Sequence, residues 1–231
     1  MKSKPKTPFV FVNMAMTADG KIATANRAIS TFGSKRDHEH LLELRATADA
    51  VMAGAMTVNA APINLGPGAA KFRRRRLNCG LAEYNLRVIV SGSGTINPDA
   101  KIFQQRFSPI ILLTTARIST AKLQKLRAVT DEVKICGKTE IDFRMALRWL
   151  RAKWNVQRLL CEGGGELNDA LFRADLVDEI NLTICPKIFG GRTAPTIADG
   201  KGFSKLRLTR HFKLQSVRQF QGELFTVLSR H

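Results

Sequence analysis

The sequence lacks the patterns that build zinc sites and disulfide frameworks. No two of its four cysteines form a C-x-x-C pair, and its four histidines show no spacing typical of a metal site or a catalytic triad. Structural zinc sites need closely spaced cysteine and histidine ligands. The sequence therefore predicts no metal, mostly buried reduced thiols and ordinary surface histidines. The cysteines are Cys79, Cys136, Cys161 and Cys185, and the histidines are His38, His40, His211 and His231.

Long apolar runs are also missing. No segment approaches the about 20 apolar residues that a membrane-spanning helix needs. Residues 1–8 form a basic tail without the apolar core and small-residue cleavage site of a signal peptide, so we expect a cytoplasmic protein. Without a repeat or a convincing linker in the sequence, we predict one domain over residues 9–231.

Acidic residues are few, with 19 Asp and Glu against 37 Lys and Arg and a net charge of +18. Such a charge attracts anions, either nucleic acid or phosphorylated small molecules. Aromatic side chains placed to stack on bases are few, since Tyr84 is the only tyrosine and the phenylalanines mostly fall in apolar runs. Because the basic residues of segment 201–218 fit the solvated face of a hairpin, we expect no nucleic-acid partner.

Apolar strand-like runs alternate with amphipathic segments along most of the chain. This alternation predicts an α/β fold with a largely parallel central sheet and helices on both faces. Two final strand-like runs, 206–217 and 223–229, meet at Gln221-Gly222 and predict a C-terminal antiparallel hairpin. Residues 62–85, rich in glycine, proline and alanine and carrying four consecutive arginines at 73–76, predict a long surface loop. The other predicted strands are 9–13, 50–54, 86–90, 109–114, 132–136, 158–162 and 179–184. Two helices are predicted to follow the caps Ser34 and Asp142, and two more are predicted over residues 120–128 and 166–173.

A glycine-rich turn carries the most chemical information. The apolar run Leu159-Leu-Cys-Glu162 leads into Gly163, Gly164 and Gly165, which open a helix. Backbone amides at a helix start bind anions, and glycine removes the Cβ that would block the approach. The turn therefore favours a phosphate site, although a plain strand-to-helix turn is the alternative. Neither G-x-G-x-x-G nor a P-loop is present.

Four motifs in order make the chain similar to the RibD C-terminal reductase family, including stand-alone archaeal and fungal diaminopyrimidine reductases. They are Asn13-Met-Ala-Met-Thr-Ala-Asp-Gly-Lys-Ile-Ala23, Leu44-Arg-Ala-Thr-Ala-Asp-Ala-Val-Met-Ala-Gly-Ala-Met-Thr-Val58, Cys161-Glu-Gly-Gly-Gly-Glu-Leu-Asn168 and the segment 176–195. The resemblance implies a dihydrofolate-reductase-like fold, NADPH and a homodimer. It also implies a riboflavin-biosynthesis oxidoreductase that converts a 5-amino-6-(5-phosphoribosylamino)pyrimidine to its ribitylamino form. A deaminase half would need H-x-E and P-C-x-x-C, which are absent.

The resemblance also assigns residues by position. Cofactor contacts fall on Met16, Thr57, Gly92, Gly163, Gly164, Gly165, Glu166 and Leu167. Substrate contacts fall on Asn13, Asn26, Arg45 and Glu162, with Arg45 expected to meet the 5′-phosphate. Glu162 and Lys21 are the candidates for proton handling, although Lys21 also fits a solvated turn lysine. The resemblance further implies a cis peptide between Gly163 and Gly164.

Two departures from the family pattern concern the cofactor. The family usually has Asp-Asp-Pro where this chain reads Asn59-Ala-Ala-Pro62, and a serine that contacts the cofactor where this chain has Gly92. How the NADP 2′-phosphate is held thus stays open, as does the choice between an amino and an oxo pyrimidine. One alternative function is a reductase of another substrate, such as a dihydropterin gripped by Glu39 or Glu43. The other is a basic nucleic-acid-binding protein.

Overall fold

The computed structural model describes residues 6–27, 32–60 and 62–230. Most of the basic tail, Ala61 and His231 lie outside these residues. The backbone groups into two compact units. The first unit comprises residues 1–9 and 45–160, and the second comprises residues 10–44 and 161–231. The single domain over residues 9–231 stays a prediction.

Nine strands and seven helices are found in the described residues. In chain order they are β1 (Phe9–Thr17), α1 (Lys35–Arg45), β2 (Ala50–Gly54), α2 (Ala55–Ala60), α3 (Ala70–Asn78), β3 (Leu86–Val90), α4 (Lys101–Gln104), β4 (Ile110–Thr114), α5 (Thr120–Val129), β5 (Glu132–Ile135), α6 (Phe143–Trp154), β6 (Arg158–Cys161), α7 (Gly165–Arg173), β7 (Glu179–Cys185), β8 (Phe212–Phe220) and β9 (Glu223–Arg230). None of these helices is long and apolar enough to cross a membrane.

The first unit is built on strands in the order β5-β4-β3-β2-β6, of which β2 to β5 pair in parallel. Strand β4 is buried along its whole length, as expected for a parallel strand covered on both faces. Helix α6 packs through Phe143, Ala146, Leu147 and Leu150, which recur at helical spacing. The Asp142 carboxylate accepts a hydrogen bond from the Met145 amide at 2.9 Å and so caps this helix, as predicted.

The second unit contains the strands β1-β7-β9-β8 in that order. Strand β1 pairs in parallel with β7, whereas β7–β9 and β8–β9 are antiparallel. The hairpin turns at Gln221 and Gly222, which both have positive φ angles of 49° and 84°. Two such residues in a two-residue turn match the twist of the strands. The predicted α/β class, mostly parallel sheet and C-terminal hairpin are thus confirmed.

Two predictions of local structure were wrong. Residues 62–85 are not a continuous loop, because they contain α3 with the whole arginine run. Arginine favours helices, and here Phe72 and Arg76 bury their side chains. The penultimate strand does not begin at Leu206 either. Residues Leu206–Leu208 form a 3₁₀ turn, and β8 starts only at Phe212.

Candidate functional site

The glycine-rich turn lies in the second unit, between the end of β6 and the start of α7. The peptide bond between Gly163 and Gly164 is cis, as the resemblance implied. Gly163 has a φ of +69°, and a Cβ at this position would lie 2.7 Å from the Met14 sulfur. The backbone conformation therefore requires glycine here, and a Cβ would in addition displace the Met14 side chain.

Gly165 is required for a different reason. A Cβ on Gly165 would lie 2.6 Å from the Thr196 carbonyl oxygen and 2.9 Å from the Asp199 amide nitrogen. Because both neighbours are backbone atoms, they cannot move aside as a flexible side chain would. The start of α7 therefore packs directly against the segment around Thr196 and Asp199.

The first amides of α7 are unpaired within the described chain. The N-cap residue Gly164 supplies no side-chain cap, and the first helical bond runs from the Asn168 amide to the Gly164 carbonyl at 3.0 Å. In the described chain, the amides of Gly165, Glu166 and Leu167 have no hydrogen-bond acceptor. Unsatisfied amides at the positive end of a helix dipole attract anions. This turn therefore fits a dinucleotide phosphate.

Asn168 joins the turn to its surroundings. Its side chain is fully buried, and the amide nitrogen donates to the Ile197 carbonyl at 2.8 Å. The amide oxygen accepts from the Cys161 thiol at 3.4 Å. Burial raises the pKa of Cys161 to about 12, so this thiol stays protonated at neutral pH and acts as a donor.

The two candidates for proton handling also lie in the second unit. The Lys21 ammonium donates to the Ala194 carbonyl at 3.1 Å, and the Lys21 backbone forms an isolated antiparallel bridge with Thr196. Lys21 is therefore held against the chain and differs from a freely solvated turn lysine. Glu162 directly follows β6 and is half-buried. Their proton transfer stays a prediction.

The remaining candidates of the second unit differ in exposure. Asn13 on β1 is 8% exposed, and its amide oxygen has no hydrogen-bond partner in the described residues. Met16 lies further along the same strand and is half-buried. Asn26 is exposed, and its amide oxygen accepts from the Thr24 hydroxyl at 2.6 Å. Because buried polar atoms are normally paired, the unsatisfied oxygen of Asn13 indicates that a bound ligand donates a hydrogen bond to it.

Thr57 and Gly92 belong to the first unit. Thr57 is half-buried on the short helix α2, which the sequence did not predict. The Gly92 carbonyl, just after β3, accepts from the Thr115 hydroxyl at 2.6 Å. Asn59 lies next to the alanines that replace the family carboxylates, and its side chain donates to the Thr95 carbonyl and accepts from the Asn97 amide in the following loop. It therefore ties down the backbone that flanks Gly92.

Arg45 also lies in the first unit, as the last residue of α1. Its side chain is 8% exposed, and one guanidinium nitrogen donates to the Gly66 carbonyl at 2.7 Å. Arg76 donates to the Arg45 carbonyl at 2.7 Å and to the Ala48 and Ala82 carbonyls. Arg76 thus fixes the backbone of Arg45. The role of Arg45 in phosphate binding stays a prediction.

The arginines at 73–76 do not form one anion-binding surface. Arg76 is 1% exposed, and Arg73 pairs with Glu83 at 3.0 Å. Only Arg74 and Arg75 are exposed. Helical geometry explains the difference, because neighbouring residues of a helix point in different directions. Arg73 and Arg76 therefore serve the packing of α3 and its contacts with neighbouring segments.

The carboxylates considered for a pterin ring are already paired. Arg36 contacts Glu39 at 3.3 Å and Glu43 at 2.8 Å on α1. The paired Arg36 lowers the pKa of Glu43, so this carboxylate stays ionised at neutral pH. His40, 3.7 Å from Glu43, is half-buried, and burial lowers its pKa. This network favours a structural role over ring binding.

Three of the four cysteines are buried, in line with the predicted mostly buried thiols. Cys136, Cys161 and Cys185 are buried free thiols, and Cys79 is exposed. Burial also raises the pKa of Cys136 to about 11. In the part of the chain that the structure describes, no group of histidine, cysteine and carboxylate side chains could hold a metal ion.

Comparison with known proteins gives consistent matches. The chain is 33% identical over 224 residues to the 2,5-diamino-6-ribosylamino-4(3H)-pyrimidinone 5′-phosphate reductase of Archaeoglobus fulgidus, covering 96% of this chain and 98% of that protein. The Aquifex aeolicus protein of the same name is 28% identical, covering 90% of each chain.

Solved structures share the fold at low identity. A pyrimidine reductase-like protein from Corynebacterium diphtheriae superimposes with a TM-score of 0.81 at 21% identity, covering 97% of this chain and 92% of that one. Acinetobacter baumannii RibD gives 0.74 at 19% identity, and the chain spans 58% of its length. The sequence profile of the RibD C-terminal domain matches residues 8–225. With nearly the whole chain matched in this way, the protein belongs to the RibD C-terminal domain family.

Proposed function

We propose that this protein is an NADPH-dependent reductase that converts 2,5-diamino-6-ribosylamino-4(3H)-pyrimidinone 5′-phosphate to its ribitylamino derivative in riboflavin biosynthesis. The observation that carries the proposal is the uncapped start of α7, where Gly165, Glu166 and Leu167 present unpaired amides behind a glycine turn. The names of the two relatives described above supply the substrate class.

NADPH is the cofactor we assign to this turn. Gly163, Gly164, Gly165, Glu166 and Leu167 would hold its phosphates through main-chain amides, with Met16 beside them. In the other unit, the family positions Thr57 and Gly92 are the proposed cofactor contacts. When bound, NADPH would supply a hydride for the ribosyl carbon that carries the exocyclic nitrogen.

The protein's own chemical task is small. Its residues must bind the two ligands, orient them and exclude water, and positioning of this kind can lower a barrier by about 7–11 kcal/mol. Opening of the ribose ring to an imine needs a proton at the ring oxygen, and Lys21 or Glu162 would provide it. Lys21 fits this role because its ammonium is held by the Ala194 carbonyl and does not move freely in solvent.

For the substrate, we propose contacts from Asn13, Asn26, Arg45 and Glu162. The unpaired amide oxygen of Asn13 is an acceptor and therefore favours a ring substituent that donates, such as an amino group. An oxo group would leave two acceptors facing each other, at a cost of about 1–3 kcal/mol. This preference is consistent with the diamino substrate named for the relatives.

We further propose a cytoplasmic homodimer. Free thiols and the use of NADPH fit a reducing compartment. Strand β8 is an edge strand with its apolar residues Leu214, Val217 and Phe220 half exposed. Such an edge pairs readily with another chain, and a second copy would cover it. Light scattering after gel filtration should give twice the monomer mass. Val217→Lys places a charge on this edge and should lower the measured mass toward that of the monomer.

A turnover assay tests the function. The purified protein is mixed with NADPH and either the diaminopyrimidinone or the corresponding uracil ribosyl phosphate, and NADPH oxidation is followed by absorbance. We expect turnover of the diamino substrate with a kcat/KM at least tenfold above that of the oxo substrate. Saturable NADPH binding without turnover of either pyrimidine would contradict the proposed substrate and leave only the cofactor assignment.

A further inference from the structure

We infer that Asp199 and Asn168 are positioning residues that hold the start of α7 in its cofactor-binding geometry through one clamp, residues 194–199. The inference rests on the proposed function, because it assigns the cofactor phosphates to the turn at Gly163, Gly164 and Gly165. Neither residue contacts the cofactor in this proposal. Both act through the backbone of the clamp.

Asp199 folds the clamp into a tight turn. One of its carboxylate oxygens accepts from the Thr196 amide at 2.8 Å, and the other accepts from the Thr196 hydroxyl at 2.6 Å. Both oxygens are therefore used within the clamp. Among the described residues, Asp199 accepts no hydrogen bond from an amide of α7, although its side chain lies close to Gly165.

The carbonyl groups of the clamp receive donors from two different parts of the second unit. The Ala194 carbonyl accepts from the Lys21 ammonium at 3.1 Å, and the Pro195 carbonyl accepts from the Ile22 amide at 2.9 Å. The Ile197 carbonyl accepts from the Asn168 side chain at 2.8 Å. The clamp therefore connects Lys21, a candidate proton donor, to α7, whose amides are the candidate phosphate ligands.

The contact at Gly165 makes the connection stiff. The Thr196 carbonyl and the Asp199 amide would lie 2.6 and 2.9 Å from a Cβ at Gly165, so the clamp and the first residue of α7 are in direct backbone contact. Asn168, in the first turn of the same helix, adds a second link to the clamp through the Ile197 carbonyl. Loss of either side chain would let the turn move relative to Lys21, and binding sites are sensitive to displacements of about 1 Å.

The experiment measures NADPH affinity and folding separately. The variants are Asp199→Ala, Asp199→Asn and Asn168→Ala, and NADPH fluorescence gives the dissociation constant of each. We expect the two alanine variants to bind NADPH about tenfold more weakly. Asp199→Asn should stay within about twofold of the parent, since an amide can still bond both Thr196 groups. Near-normal binding by Asp199→Asn would show that the hydrogen bonds of Asp199, and not its negative charge, maintain the affinity for NADPH.

A cap in the other unit provides the matched control. Asp142→Ala removes the α6 cap and should lower the melting temperature without changing NADPH affinity. Should Asn168→Ala fail to fold, Thr196→Val removes only the hydroxyl that bonds Asp199 and should weaken binding about threefold. The inference would be overturned if Asp199→Ala bound NADPH with unchanged affinity and Asn168→Ala, or Thr196→Val in its place, did so as well. If the parent protein itself binds no NADPH, the proposed function fails, and the inference fails with it.

Discussion

Arg76 offers the sharpest test of how the arginine run is used. The proposed change is Arg76→Met, which keeps an unbranched side chain of similar length but removes every donor. The guanidinium is buried and donates to the carbonyls of Arg45, Ala48 and Ala82. Methionine would leave these three acceptors without their partner.

The expected magnitude follows from two opposing terms. A hydrogen bond to a charged donor contributes about 1.5–3 kcal/mol, and a buried acceptor left unpaired costs about 1–3 kcal/mol. Against this stands the cost of burying the charge, since burial lowers the pKa of Arg76. Methionine removes that cost and recovers some apolar burial. With three carbonyls affected, the free energy of unfolding should fall by about 3 kcal/mol.

Urea denaturation followed by circular dichroism measures the loss as a lower transition midpoint. The chain supplies its own controls in Arg74→Met and Arg75→Met, because both arginines are exposed on the same helix. Surface substitutions of this kind change stability by about 0.5 kcal/mol or less. If all three variants unfold at the same urea concentration, Arg76 does not hold the three carbonyls as the structure indicates.

Three further predictions concern the candidate site and its surroundings. Gly165→Ala should lower the free energy of unfolding by about 1–3 kcal/mol through the clash with Thr196 and should weaken NADPH binding, measured by urea titration and NADPH fluorescence. Arg45→Ala should raise the KM for the phosphorylated substrate by a factor equivalent to about 1.5–3 kcal/mol, and an unchanged KM would assign Arg45 to packing alone. Burial lowers the pKa of His40, so the unfolded chain takes up a proton at higher pH than the folded chain. The stability that His40 contributes is therefore complete above about pH 6.5 and declines as the pH falls. His40→Gln should show a smaller loss of urea midpoint between about pH 7.5 and 5.5 than the parent, whereas equal losses would contradict the assignment.

The sequence predicted elements with strong local signals well. Strands β2 and β3 have the predicted bounds, because each is a short apolar run between clear turn residues. Asp142 and Ser34 were recognisable as caps, and both accept hydrogen bonds from amides of the helix they open. The glycine turn before α7 was also predictable, since three adjacent glycines directly after an apolar strand end that strand and favour a turn.

The features that escaped prediction depend on contacts between distant residues. The clamp could not be foreseen, because Asp199 and Asn168 are 31 positions apart and neither lies in a pattern of its own. Helix α3 was missed since proline, glycine and alanine before it resemble a loop, while the burial of Arg76 is set by carbonyls of residues far along the chain. Side-chain burial of a charged residue is a tertiary property that local propensity does not encode.

The net charge of the chain likewise does not identify its ligand. Residues 45–160 of the first unit hold 20 Lys and Arg against 7 Asp and Glu, whereas residues 10–44 and 161–231 hold 14 against 12. The surplus charge therefore lies outside the unit that carries the glycine turn. An anion at that turn would be held by the amides of Gly165, Glu166 and Leu167. The helix fixes the directions of these amides, whereas charged side chains can change their rotamers. Long-range attraction accelerates the encounter with any anion, but only such directed donors select a phosphate of one geometry. The composition of the chain thus indicates the sign of its ligands, while their identity depends on a few backbone groups at one turn.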